Sequence, residues 1–209
     1  MQGLDIIAET IRQDFTTKNA ARDRALIASR ELVRFCSLTI RAVHRAEFAE
    51  ADHLLAQAAA LADELRELLK LVPDIFYTGY VQDSLKELAE ARVFYALVTK
   101  QPLPDPDSLG VGYASYLNAL GEVVGELRRY ILDALRQGKA DRCEDVLQQM
   151  DDIYSVMVTM DFPDAITGNL RRTTDVTRGI MEKTRGDLTF ALRQDRLERS
   201  LAAFEKKVS

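Results

Sequence analysis

Lys86-Glu87-Leu88-Ala89-Glu90-Ala91, written KELAEA, sits inside a stretch from Tyr80 to Thr99 whose apolar residues return at helical spacing. In that register Glu87 and Glu90 fall in line with Phe94 and Leu97, at i, i+3, i+7 and i+10, so two carboxylates prolong an apolar stripe. About thirty residues later Gly121-Glu122-Val123-Val124-Gly125-Glu126-Leu127, GEVVGEL, again sets two acids one turn apart. Like charges so placed cost a helix roughly 0.2–0.5 kcal/mol per pair. Either solvent dilutes that cost or a cation offsets it.

Outward from this stretch the same period continues, and no segment alternates with period two, so the fold class is all-α. A short helix is expected from Leu4 to Phe15, and a long one from Asn19, read as an N-cap, through Val43. The long one either crosses His44–Glu47 or breaks there before a helix over 49–70. Val72-Pro73-Asp74 should end that element, because proline disfavours the helical conformation of the residue before it. Three prolines between Gln101 and Ser108 mark the strongest loop. Helices are expected over 112–136, stopping at Gly138, over 140–160, and from Leu170 onward as one or two pieces. The total is about seven helices in a single domain covering residues 1–209.

Composition agrees with that class. The 209 residues are 47% hydrophobic and 29% charged, with 5 prolines and 10 glycines, as expected of a globular helical chain. Cys36 and Cys143 lack disulfide or metal spacing and read as buried free thiols in a reducing cytosol. The N-terminal residues lack the pattern of a signal peptide and no stretch is apolar enough to span a membrane, so a cytoplasmic location is expected. A net charge of −5 weighs against a nucleic-acid binder, but position matters more than the average.

Two sets of side chains carry chemistry. Glu87, Glu90, Glu122 and Glu126 are hard oxygen donors of the kind Mg²⁺ takes, and no His or Cys stands beside them in the sequence, which disfavours zinc. Glu122 and Glu126 lie nearly opposite the main apolar face of their helix and read as exposed, so solvated surface acids stay open for all four. Arg30, Arg34, Arg41 and Arg45 share one helix face, with His44, Arg22 and Arg24 nearby. They are either a solvated face partly balanced by Glu31 and Glu47, or a track of phosphate contacts. A second basic set, Arg171, Arg172, Arg178, Lys183, Arg185 and Arg193, is interleaved with acids.

Taken together the chain resembles the translin and translin-associated factor X (Trax) family. The resemblance is carried by Arg22-Asp23-Arg24 leading into Ser29-Arg30-Glu31-Leu32, by Tyr80 to Ala91, and above all by Tyr116-Leu117-Asn118-Ala119-Leu120 running into GEVVGEL. It implies a seven-helix all-α fold, hollow octamers of the chain enclosing single-stranded RNA or DNA, and, in the Trax branch that this chain is most similar to, a Mg²⁺- or Mn²⁺-dependent endoribonuclease. By the same resemblance Glu87, Glu90, Glu122 and Glu126 would be the metal ligands and catalytic acids. Glu122 departs from the branch, where aspartate is usual. Arg30, Arg34, Arg41, His44 and Arg45 would hold the strand, and the translin branch implies the alternative of binding without cleavage.

Overall fold

A computed structural model of the chain describes residues 2–70, 72–139 and 143–208. Among these the structure is helical, without strands: α1 Gln2–His44, α2 Phe48–Leu69, α3 Pro73–Phe76, α4 Gly79–Thr99, α5 Pro106–Leu109, α6 Tyr113–Arg136, α7 Cys143–Val158, α8 Asp164–Thr167 and α9 Leu170–Val208. The chain divides into two compact units, residues 1–116 and 117–209.

In the first unit α1 packs on α2 and α4. Its inward positions Leu32, Cys36, Ile40 and Val43 follow the helical period and are buried. They meet Leu54, Leu55, Ala58 and Leu65 of α2, and α4 adds Leu85, Leu88 and Phe94. The expected break before Asn19 does not occur, and α1 is one helix of 43 residues. Nothing between Phe15 and Asn19 is Gly or Pro. Thr16 and Thr17 instead donate their hydroxyls back to the carbonyls of Arg12 and Gln13, and Asn19 reaches forward to Asp23 as a mid-helix residue rather than a cap. The break after His44 is real: Ala46 adopts a positive φ of 57° and α2 starts two residues later.

The prolines act as helix starters. Pro73 and Pro106 each occupy the first turn of a one-turn helix, where a missing N–H costs nothing. Asp105 caps α5 by accepting from the Ser108 N–H at 2.8 Å. Arg66 of α2 donates to the Leu109 carbonyl at 2.9 Å, its guanidinium filling the space that a side chain at Gly110 would need.

The second unit contains the bulk of α6 with α7, α8 and α9. Leu127, Ile131, Met150, Ile153, Met157, Met181 and Leu188 form its core. The expected start of the α7 helix at Ala140 lies outside the described residues. The chain after Leu170 is a single 39-residue helix. Asn118 on α6 donates to the Thr167 carbonyl at 2.9 Å and accepts from the Thr173 hydroxyl at 2.6 Å, which pins the start of α9.

Candidate functional site

Glu87 and Glu90 sit three residues apart on α4, and carboxylate oxygens of the two lie within 4.8 Å of each other. Glu90 is 7% exposed, between the buried Ala89 and Ala91 and one turn before Phe94, while Glu87 is half-buried. The stripe expected from the sequence is therefore present, and it carries the acids inward. A buried carboxylate is retained only where a proton, a cation or hydrogen-bond donors compensate its lost hydration.

Sequence distance concealed a thiol. Cys36 on α1 is fully buried, and burial first, then the charges of Glu87 and Glu90, push its pKa far above the ordinary thiol value of 9.0. A cysteine therefore does stand near the acid pair, although none stands beside it in the sequence.

Glu122 and Glu126 lie one turn apart on α6 and remain accessible to solvent. Glu126 has the Arg129 guanidinium at 3.8 Å. As donors, Glu87 and Glu90 in the first unit offer paired hard carboxylate oxygens of the kind a divalent cation takes, and Glu122 and Glu126 offer the same donor type in the second.

The arginines behave as a helix face should. Arg30, Arg34, Arg41 and Arg45 are all exposed. Arg34 is tied to Glu31 at 3.0 Å and lies over the Phe35 ring, whereas Arg30, Arg41 and Arg45 have no carboxylate within ion-pair distance among the described residues. His44, the last residue of α1, is half-buried with its ring 4.9 Å from that of Phe94. It belongs to the edge of the core as much as to the basic face.

In the second basic set Arg171, Arg178 and Arg185 are engaged by Asp161, Glu182 and Asp151. Arg172 is exposed and has no such partner among the described residues. Thr173, Thr177 and Met157 surround the first glycine of GEVVGEL, and the sequence alone does not single them out. The signal for a crossing was there as Gly121 and Gly125 at i, i+4, a spacing that lets another helix come close.

No family model matches the chain. An uncharacterised protein of Methanocaldococcus jannaschii is 28% identical over 185 residues, 88% of this chain and 82% of that protein. The structure of AfC3PO in complex with duplex RNA is similar at a TM-score of 0.84 and 31% identity, over 91% of this chain and 98% of that one. A crystal structure of AfC3PO gives a TM-score of 0.83 at the same identity and coverage. NeC3PO, at 20% identity and a TM-score of 0.80, shares the fold over 88% of this chain and 96% of its own.

Proposed function

The chain belongs to the translin and Trax family, and from that premise we propose that it is a metal-dependent endoribonuclease acting on single-stranded RNA, working as a homo-oligomer of one family domain. Glu87, Glu90, Glu122 and Glu126 hold Mg²⁺ or Mn²⁺, and Arg30, Arg34, Arg41, His44 and Arg45 bind the strand. The observation that carries this is the acid pair on α4, with Glu90 at 7% exposure and a second carboxylate within 4.8 Å. Two carboxylates so close, one of them buried, form a paired oxygen-donor set of the kind a hard divalent cation takes.

A divalent cation bound there would activate water and neutralise the charge that builds on a phosphodiester. The protein's own groups do the rest. Glu126, accessible and at the end of the acid series, accepts the proton released by the attacking water. The arginine face takes the phosphates on either side, where the guanidinium fork matches paired phosphate oxygens. Exposed apolar stripes support assembly: Leu4, Ile7, Ile11 and Phe15 along the start of α1, and Leu197, Leu201, Phe204 and Val208 along the end of α9, each residue between 48% and 71% exposed.

Binding without cleavage is the second reading, and the duplex RNA held by AfC3PO favours it, since capture of a duplex does not require cutting. Labelled single-stranded RNA incubated with the protein, with Mg²⁺ or with chelator, beside a Glu126→Ala variant, separates the two. The nuclease reading predicts cleavage that needs both the metal and Glu126. RNA retained uncut in every lane would establish the binding reading.

A further inference from the structure

Between α6 and α9 of the second unit lies a cavity of about 250 Å³, lined by Gly121, Glu122, Gly125, Arg172, Val176 and Thr177 among others. Its walls are unequal. At Gly121 the two helices touch, and an added Cβ would lie 2.3 Å from the Thr173 methyl carbon. At Gly125, one turn on, an added Cβ would meet nothing within 4 Å, so the backbone faces open space. Val176, 56% exposed, supplies the opposing apolar wall.

Two polar features point to a ligand. The Thr177 hydroxyl is fully buried without a hydrogen-bond partner among the described residues, whereas Thr173 and Thr184 on the same helix both have one. A buried unsatisfied hydroxyl is costly and calls for a partner such as a water or a ligand atom. Arg172, which lines the cavity and is exposed, has no carboxylate at ion-pair distance among the described residues, a condition it shares in its cluster with Arg193, which does not line the cavity. A largely apolar lining, one buried hydroxyl and one exposed cation match a nucleotide, with the base inside and the phosphate outside.

The geometry points to a nucleobase slot: one unstacked base of single-stranded RNA enters between α6 and α9 over Gly125, its edge hydrogen-bonded by the Thr177 hydroxyl and its phosphate held by Arg172. Glu122 lines the same cavity, so the base would sit beside a carboxylate assigned to the cation. A base held in a duplex cannot enter, which makes the slot a device for choosing single strands. The assignment rests on the RNA reading proposed for the family domain.

The test is fluorescence anisotropy in chelator, which prevents cleavage, with one labelled RNA offered single-stranded and annealed. Wild type is compared with Gly125→Leu, which fills the slot, and with Arg172→Ala, whose exposed position makes it tolerant to truncation. Gly125→Leu should weaken single-strand binding about tenfold, equal to about 1.4 kcal/mol, and leave duplex binding within about twofold. Arg172→Ala should weaken single-strand binding and lower its log-log salt slope by about one. Either variant binding single strands like wild type, or losing both RNA forms alike, would overturn the slot. Wild type binding only duplex would overturn it while leaving RNA binding intact, and wild type binding neither form would overturn the RNA reading itself.

Discussion

The two glycines of GEVVGEL should respond to alanine in opposite directions. At Gly121 the new methyl would lie 2.3 Å from the Thr173 methyl carbon, 3.1 Å from the Thr177 hydroxyl oxygen and 3.2 Å from the Met157 methyl. Carbon atoms pack best about 3.5–4.0 Å apart, so something must move. Thr173 cannot turn away freely, because its hydroxyl donates to Asn118 at 2.6 Å and Asn118 in turn holds the Thr167 carbonyl at 2.9 Å. Overpacking costs about 1–3 kcal/mol, and a lost hydrogen bond about 1 kcal/mol. Alanine returns up to about 1 kcal/mol of helix propensity, which leaves Gly121→Ala about 1–3 kcal/mol less stable. At Gly125 there is no contact to break, and only the propensity gain remains, up to about 1 kcal/mol. Urea unfolding of the two variants should therefore give midpoints on either side of wild type, separated by about 0.3–4 M, a stability gap of about 1–4 kcal/mol over slopes of about 1–3 kcal/mol per M. Midpoints that shift together, or a Gly121→Ala variant as stable as wild type, would refute the close crossing of α6 and α9.

Three further outcomes follow from particular contacts. Arg128 donates to the Thr184 hydroxyl at 2.9 Å and to Asp187 at 2.7 Å from a side chain only 17% exposed, so Arg128→Leu should lose about 1–2 kcal/mol in urea unfolding, and much less when Asp187→Asn is already present. The buried Cys36 thiol stays protonated in the fold while the unfolded chain ionises near the ordinary value of 9.0, so its contribution is complete below that pH and declines above it. Stability measured in urea should fall by up to about 1.4 kcal/mol per pH unit from that point, less steeply in Cys36→Ala, and the native thiol should resist iodoacetamide until the protein is denatured. For RNA binding, Arg45→Ala should lower the log-log salt slope by about one and Arg34→Ala by less, since Glu31 already engages Arg34 at 3.0 Å.

The long helices were legible because each buries a stripe with helical period, and α4 was the clearest: Glu87, Glu90 and Phe94 share a line in sequence and in the fold. The expected gap before Asn19 failed because an N-capping residue type says nothing when no Gly or Pro stops the turn ahead of it. One-turn helices at Pro73 and Pro106 hid in segments that composition marks as loops. What no local pattern reveals is the partner across a crossing. Thr173 stands 55 residues from the Asn118 it bonds, so nothing near Glu122 and Glu126 in the sequence names the helix that crosses at their glycines. Cys36 escaped notice beside Glu87 and Glu90 for the same reason.

The central claim, that these glutamates hold a divalent cation, is tested most directly by titrating Mn²⁺ into the protein and following the free-ion signal by electron paramagnetic resonance, for wild type and Glu90→Gln. Gln keeps the size of the buried side chain and removes its charge. Wild type is predicted to bind Mn²⁺ with displacement by excess Mg²⁺, and Glu90→Gln to bind about tenfold or more weakly, a loss of about 1.4 kcal/mol or more. Equal Mn²⁺ binding by the two proteins, or none by wild type, would contradict the claim and leave the acids of α4 as part of the helix packing alone.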